Sequence, residues 1–433
     1  MSAASAARRA ALDLLHAVRA GATFADARDR HLAGLPERDR RLAYELAAGV
    51  LRHQAALDHE LDPARVDPRL LDILRLGAYQ LRRLTRVPAH AAVSTSVELA
   101  RGTAGEPAAK FVNQALRRLA RETGGGRRGA EGEGEGEETH PRWLVTRWRR
   151  QFGANETERL IAWNDSKPPL TAQPARWDLK EVRSRFESGG IGVRDAPFGA
   201  GLRVSAARDA PGLPSPVSHL PGFPEGGFLV QDPAAALVCR FAAIAPGHLV
   251  YDACAAPGGK AVALERLGAR VVAGDARRER LGRLVETIRR CGVAIRPLLA
   301  DLLAAPFRAG ALDAVLVDAP CSATGTMARH PDARWRLTAS IIARAAARQR
   351  RLLDAARPLV RPGGLLIYAT CSLEPEENTE VVDAFLEANP EFRRDPAADA
   401  VPRALLTASG DFQSLPQRHG IDGAYAARLR RSR

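Results

Sequence analysis

The chain lacks any apolar stretch near the ~18 residues that a membrane-crossing helix needs. Its apolar runs, such as 312–317 and 365–369, end far sooner. Residues 1–20 contain Arg8 and Arg9 but also Asp13, with no continuous apolar segment, so a signal peptide is not expected. Cysteine is sparse. Five residues (Cys239, Cys254, Cys291, Cys321 and Cys371) are spread over 433 with no CxxC pair. That spacing argues against a disulfide framework and against a zinc site, and it predicts a reducing, cytoplasmic setting. The histidines, including His330 beside Pro331, show no metal-ligand spacing, so no metal is expected. Lysine is nearly missing as well: Lys110, Lys167, Lys180 and Lys260 are the only four.

What is present is globular. Hydrophobic residues make up 45% and charged residues 26%, which excludes a largely disordered chain. The length suggests two or three domains. Lys+Arg 64 against Asp+Glu 50 gives a formal net charge of +14, a surface that favours polyanions such as nucleic acid. Net basic charge is spread over every segment except 122–138, ETGGGRRGAEGEGEGEE, which is acidic. With no apolar side chain larger than alanine, that stretch cannot bury a face. We therefore draw a flexible linker at 122–140.

Before the linker the pattern is helical. Leu12, Leu15 and Val18 form one stripe, and Leu42, Leu46, Ala47 and Val50 a second. Leu70, Ile73, Leu74, Leu81 and Leu84 form a third, and Phe111, Ala115, Leu116 and Leu119 a fourth. Spacings of three and four mark amphipathic helices packed on one another, with Pro63, Pro68, Pro88 and Pro107 as breaks. Residues 1–121 are read as an all-α domain. Residues 141–226 begin with a helical pattern (Trp143, Leu144, Trp148, Phe152) and then become Pro- and Gly-rich with short extended runs, which predicts a small α+β domain.

From 227 to 433 apolar runs alternate with helical patterns. The runs at 249–253, 271–274, 314–317 and 365–369 predict buried parallel strands, and 261–267, 280–290 and 339–359 the helices between them. Ligands in such sheets sit at the carboxyl ends of the strands. The first run ends in Asp252-Ala-Cys-Ala-Ala-Pro-Gly-Gly-Lys260, a glycine-bearing turn into a helix. It is neither GxGxxG nor a P-loop. The missing glycines weaken a nicotinamide-dinucleotide reading, in which the chain would be an oxidoreductase. The second run ends at Asp275, placed to bond the two hydroxyls of a ribose. A third ends at Asp301, placed to meet an adenine amino group. The fourth leads into Asp318-Ala-Pro-Cys321 and the fifth into Thr370-Cys371-Ser-Leu-Glu-Pro-Glu-Glu-Asn378. Cys239 and Cys291 are read as core packing. Cys321 and Cys371 leave adjacent strand ends in Pro- and Gly-bearing loops, where packing does not call for cysteine.

DACAAPGGK, DAPCSATGTMARHPDARW and YATCSLEPEENT resemble motifs of the RsmB/NOP family of RNA 5-methylcytosine methyltransferases. The flanking GFLVQDPAA and DGAYAARL are similar to that family's neighbouring motifs. ERDRRLAYELAAGVLRH, VPAHAAVSTSVELAR and FVNQALRRL resemble a NusB-like RNA-binding domain, so the resemblance spans nearly the whole chain except the linker. It implies three folded parts: a NusB-like helical RNA-binding domain (1–121), a small α+β RNA-binding domain (141–226) and a Rossmann-like methyltransferase domain (227–433). It implies methyl transfer from S-adenosylmethionine to C5 of a cytosine in 16S ribosomal RNA, by a monomer with no membrane partner.

The resemblance also distributes roles. Cys371 is the nucleophile toward C6, Cys321 assists release, and Asp318 bonds the cytosine. Cys254, Ala255, Ala256, Pro257, Gly258, Gly259, Lys260, Asp275, Arg280, Asp301 and Asp318 form the cosubstrate pocket. Lys260 is either a cosubstrate contact, which we favour, or a helper at the catalytic loop, and Arg280 either serves the pocket or caps its helix. Two departures bear on this. Pro168-Pro-Leu-Thr171 is followed by Ala172-Gln173-Pro174 where the family carries Arg-Val-Asn, and the C-terminal motif has Ala424-Tyr425 where two aromatics are usual. The competing readings are the same chemistry on transfer RNA or large-subunit RNA, and a non-catalytic ribosome-assembly or antitermination factor.

Overall fold

A computed structural model describes residues 3–123, 139–205 and 217–433; most of the expected linker lies outside them. The chain divides into two compact units: Met1–Lys167 with Met327–Arg336, and Pro168–Thr326 with Leu337–Arg433.

The first unit is helical: α1 (Ala3–Arg19), α2 (Phe24–Leu32), α3 (Glu37–Arg52), α4 (Gln54–Leu61), α5 (Pro68–Arg83), α6 (Ala89–Thr123), α7 (Arg142–Phe152) and α8 (Ala154–Asp165). Three of the four expected stripes face the core largely as written, with Leu12, Leu15, Leu46, Val50, Ile73 and Leu74 fully buried. In the fourth, Leu116 and Leu119 are buried as expected but Phe111 is not. Phe111 is 41% exposed while Val112 and Leu116 are fully buried, because the apolar positions on the second half of α6 keep the helical period only when counted from Val112. Pro68 stands in the first turn of α5, where its missing N–H costs nothing. Pro107 follows a break in α6 at Ala104 and Gly105. The helix runs on to Thr123, into the stretch drawn as linker.

At the other linker margin, Thr139 and His140 are buried. The Thr139 hydroxyl donates to Asp165 Oδ2 at 2.7 Å, and the His140 ring meets Trp148 edge-on. By packing, α7 and α8 group with the helices before them, in a compact unit that runs to Lys167.

A short helix, α13 (Ala333–Arg336), also belongs to this unit although its sequence follows the Asp-Ala-Pro-Cys motif. Arg334 is fully buried. Its guanidinium meets Asp165 Oδ1 at 2.7 Å and the carbonyls of Asn164 at 2.9 Å and Thr139 at 3.2 Å. Trp335 Nε1 donates to the Leu51 carbonyl at 2.6 Å, and the Phe24 amide to Asp332 Oδ2 at 3.1 Å. A buried guanidinium is tolerated only when its donors are satisfied, and here they anchor the 327–336 segment.

The second unit holds two sheets. The smaller has strands β1 (Leu170–Pro174), β2 (Val193–Asp195), β3 (Leu202–Val204) and β4 (Phe228–Val230) in the order β2-β3-β1-β4, all antiparallel, with helix α9 (Leu179–Ser188). Gln173, at the departure from the family motif, is buried in β1 and donates to the Ala200 carbonyl at 2.9 Å. There the residue closes the fold.

The larger sheet follows α10 (Pro233–Ala242). Its strands are β5 (Leu249–Asp252), β6 (Arg270–Asp275), β7 (Arg296–Leu299), β8 (Leu312–Asp318), β9 (Val360–Thr370), β10 (Phe392–Arg394), β11 (Phe412–Ser414) and β12 (Ala424–Arg431), and its order is β10-β12-β9-β8-β5-β6-β7 with β11 on β12. Helices α11 (Gly259–Arg266), α12 (Arg278–Cys291), α14 (Ala339–Ala356), α15 (Thr379–Ala388) and α16 (Pro416–His419) complete the unit. Strands β5 to β9 are parallel, as expected. The far side is not: β12 runs antiparallel to β9, and β10 and β11 run antiparallel to β12. The sheet is therefore mixed. Alternate residues of β8 and β9 fall in two separate cores, Ala314, Leu316 and Ile367 in one and Val315, Val317 and Leu366 in the other. Both faces are covered, which is why these strands read as unbroken apolar runs.

Candidate active site

Because β5, β6, β8 and β9 run parallel, their carboxyl ends lie on one edge and deliver Asp252, Asp275, Asp318 and Thr370 there. The chain turns at each end. After β5 the turn passes through Gly258, whose φ of +111° disfavours a side chain, into α11. A Cβ at Gly258 would also come 2.8 Å from Leu284 Cδ1. Lys260 then falls in the first turn of α11, where the helix dipole disfavours a cation. It is compensated: Lys260 Nζ donates to Asp318 Oδ2 at 2.7 Å. Burial pulls the Lys260 pKa down, but the Asp318 carboxylate outweighs it and raises it above the ordinary lysine value. Lys260 thus turns toward Asp318, a residue common to both of its readings from sequence.

The two cysteines meet. Cys321 Sγ and Cys371 Sγ are 3.2 Å apart, and the Thr326 hydroxyl approaches Cys371 Sγ at 3.9 Å. The hydrogen bond with Cys321 lowers the Cys371 pKa; burial and the Asp318 charge oppose this, and Lys260 adds to it. Cys321 moves the opposite way, raised first by the same hydrogen bond, then by burial, with the Glu377 charge adding. The shared hydrogen bond thus shifts Cys371 toward the thiolate and Cys321 away from it. The first cause on both sides is the hydrogen bond between them; of the nearby charges, Asp318 opposes an anion on Cys371 more than Lys260 favours it, and Glu377 opposes one on Cys321.

The proposed cosubstrate residues line the β5–β6 side. Asp275 is buried; its Oδ1 accepts from the Arg277 amide at 2.9 Å, while Oδ2 has no hydrogen-bond partner among the described residues. Arg280 Nη1 stands 3.8 Å from that oxygen, an ion pair too long for a hydrogen bond. Asp252, which the motif reading left out, is wholly buried, with no hydrogen bond to either oxygen beyond the approach of the Cys254 amide. Burial, reinforced by the Asp318 charge, pushes its pKa up to about 7. Such oxygens want donors, and a ligand bearing hydroxyl and ammonium groups, as S-adenosylmethionine does, fits that demand. Cys254 lies beside them, pushed up to about 12, first by burial. Ala255 and Ala256 are buried in the turn, and Pro257 is joined to Ala256 by a cis peptide bond.

Asp301 follows β7 but is exposed; its Oδ1 caps the next turn through the Leu303 amide at 3.0 Å. Cys239 and Cys291 are buried in the core, as read from sequence. Among the described residues no group of three His, Cys, Asp or Glu side chains could hold a metal ion, and no helix is long and apolar enough to cross a membrane.

Motif reading also missed the framework under the cysteines. Gly325 N donates to the Cys371 carbonyl at 2.9 Å, and Gly423 N to the Gly325 carbonyl at 2.8 Å. A Cβ on Gly325 would lie 2.5 Å from the Gly423 carbonyl oxygen. The C-terminal Asp-Gly motif therefore reaches the site through backbone, and Tyr425 pairs with Thr370 in the β9–β12 register.

The chain resembles known proteins along most of its length. The family described as 16S rRNA methyltransferase RsmB/F matches residues 241–430, the NusB family 5–121, and the RsmF/B-like ferredoxin-like domain 140–210. A probable ribosomal RNA small subunit methyltransferase B of a Synechocystis strain is 35% identical over 91% of this chain and 92% of its own. The ribosomal RNA small subunit methyltransferase B of Vibrio cholerae is 36% identical over 90% and 89%. Among solved structures, PH0851 superposes with a TM-score of 0.80 at 24% identity over 99% of both chains. NSun6 from Pyrococcus horikoshii, solved with SFG, gives 0.57 at 18% identity over 68% of this chain and 98% of its own.

Because a thiol with a lowered pKa is a thiolate at lower pH, iodoacetamide should modify Cys371 ahead of Cys321 near neutral pH. Cys321→Ala deletes the hydrogen bond that lowers Cys371, so the Cys371 alkylation profile should move to higher pH. Peptide mass spectrometry over about pH 6–10 checks this. A profile that stays in place or moves down contradicts the proton-sharing geometry.

Proposed function

The chain belongs to the RsmB/F family of 16S rRNA methyltransferases, and from that premise we propose that it methylates C5 of a cytosine in 16S ribosomal RNA through a covalent bond to Cys371. The observation that carries this reading is the 3.2 Å cysteine pair at the carboxyl edge of the sheet, whose hydrogen bond lowers the Cys371 pKa and raises that of Cys321. Unmodified, C5 of cytosine is a poor nucleophile. Addition of the Cys371 thiolate to C6 turns the ring into an enamine whose C5 can accept a methyl cation equivalent. S-adenosylmethionine, when bound, supplies that electrophilic methyl group.

The chain's own groups then account for the remaining bonds. Asp318, held on one oxygen by Lys260, keeps the other for the exocyclic amine of the base, a charge-assisted hydrogen bond. After the new C–C bond forms, a base must remove the C5 proton so that the C6–sulfur bond breaks and the Cys371 thiolate leaves. Cys321, in reach of Cys371, serves this elimination as a thiolate: its own proton is first lost to solvent, and the C5 proton then restores the thiol as the Cys371 thiolate leaves. Asp275 Oδ2 would hold a ribose hydroxyl, with Arg280 behind it, while Asp252 and the 254–260 turn would hold the rest of the cosubstrate; Asp301 stands on the next strand end for the adenine. The basic surface of the helical unit and the net charge of +14 suit an RNA partner. Retention of Cys321, Cys371, Asp318 and the Pro-Gly-Gly-Lys turn favours an active enzyme over an idle assembly factor.

Two experiments test the assignments. Asp275→Ala removes a bond worth about 1.5–3 kcal/mol, which should raise the cosubstrate dissociation constant roughly 10–150-fold with RNA binding unaltered. Calorimetry showing unchanged cosubstrate affinity would reject the ribose role. Cys371→Ala should form no adduct, whereas Cys321→Ala should attack, transfer the methyl and stall, accumulating a protein–RNA species that survives denaturing electrophoresis. The reverse pattern would exchange the two roles.

A further inference from the structure

Both cysteine-bearing loops close on one buried carboxylate. Glu377, in the turn before α15, is fully buried. Its Oε1 accepts from the Ser322 amide at 2.9 Å and from Gln349 Nε2 at 3.0 Å. Its Oε2 accepts from the hydroxyl of Ser322 and, at 2.5 Å, from that of Ser372. Ser322 follows Cys321 and Ser372 follows Cys371. A carboxylate offers about four lone-pair sites, and here four donors take them, two from the Cys321 loop, one from the Cys371 loop and one from α14. Gln349 extends the same bond set to the Pro320 carbonyl at 3.0 Å. The Glu377 carbonyl in turn accepts from the Tyr368 hydroxyl on β9 at 2.5 Å. Next to it, Asn378 accepts from Thr370 at 2.6 Å and donates to the Ser372 carbonyl at 2.9 Å.

We propose that Glu377 is a positioning residue that sets the separation and orientation of Cys321 and Cys371 by bonding the residue after each. Sheet hydrogen bonds do not do this alone. The β8–β9 pairing ends at Asp318 and Ala369, and the Ala319 amide adds one bond to the Ala369 carbonyl; farther on the loops also meet through Gly325 N on the Cys371 carbonyl and Leu373 N on Thr324 Oγ1, but Glu377 is the carboxylate that bonds the residue directly after each cysteine. Glu377 lies past the second cysteine in sequence and folds back to tie both loops. It does not touch the reacting sulfurs, and its charge faces Cys321 rather than Cys371.

The kinetic half of the test rests on the reading of this pair as the reacting thiols, so a second readout is independent of RNA. In the full chain, Glu377→Ala leaves four donors without an acceptor, whereas Glu377→Gln keeps an oxygen and the side-chain shape. Single-turnover methyl transfer should fall roughly 100-fold in Glu377→Ala, as expected for sub-ångström misplacement of a reacting pair. Glu377→Gln should recover most of it. Cosubstrate affinity and the KM for RNA should stay within about twofold in both, which separates positioning from general damage. Without RNA, the preference of iodoacetamide for Cys371 over Cys321 should shrink in Glu377→Ala and return in Glu377→Gln. If the parent methylates no cytosine yet this preference shifts as stated, the functional reading fails and the clamp stands. If the parent is active and neither transfer nor the preference changes in Glu377→Ala, the clamp is overturned. Lost cosubstrate binding in both variants also overturns it, because Glu377 would then serve folding at large.

Discussion

Two sulfur atoms 3.2 Å apart can share one proton far more easily than they can both give one up. The rest of the catalytic unit can be understood from that constraint. Parallel strands β8 and β9 bring Cys321 and Cys371 to the same sheet edge, and the short loops after them leave little freedom in how far apart they stand. The hydrogen bond between them shifts the two thiols in opposite directions, and unequal surroundings act on top of it: Glu377 opposes charge on Cys321, while Asp318 and Lys260 pull against each other on Cys371. A nucleophile and a proton carrier made from the same residue type need such an outside bias, because nothing in the side chains themselves distinguishes them.

The carboxylates along the edge divide by environment. Asp318 is partly exposed and held by Lys260, so it can meet a base without leaving its partner. Asp252 and Asp275 sit deeper and keep oxygens that the protein does not satisfy. Buried unsatisfied oxygens cost free energy unless something donates to them, which makes this side of the edge a place for a polar ligand. Asp301 differs again, since its exposed side chain spends one oxygen on a cap.

Much of this was legible in the sequence because both faces of the central strands are covered, so apolar runs and the residues ending them could be read directly. Asp275, Asp318, Cys321 and Cys371 are strand-end residues of that kind. The antiparallel β12 was not legible as a strand, since Ala424–Arg431 (AYAARLRR) carries no unbroken apolar run and owes its place to pairing with β9. Glu377 and Ser322 were hidden for another reason: their role lies in bonds between loops 55 residues apart in sequence, and local pattern does not report that. Nor does it report that 327–336, directly after the Cys321 loop, buries Arg334 among the helices of the first unit. The one-residue error at Phe111 is of the ordinary kind, a stripe counted from the wrong start.

The proposed activity is tested most directly by bisulfite sequencing of 16S ribosomal RNA from the parent strain, a strain without the gene, and that strain carrying either the intact gene or Cys371→Ala. The account predicts at least one cytosine that resists conversion in the parent, converts without the gene, resists again with the intact gene, and still converts with Cys371→Ala. Identical conversion in all four RNAs, or full protection restored by Cys371→Ala, would contradict it.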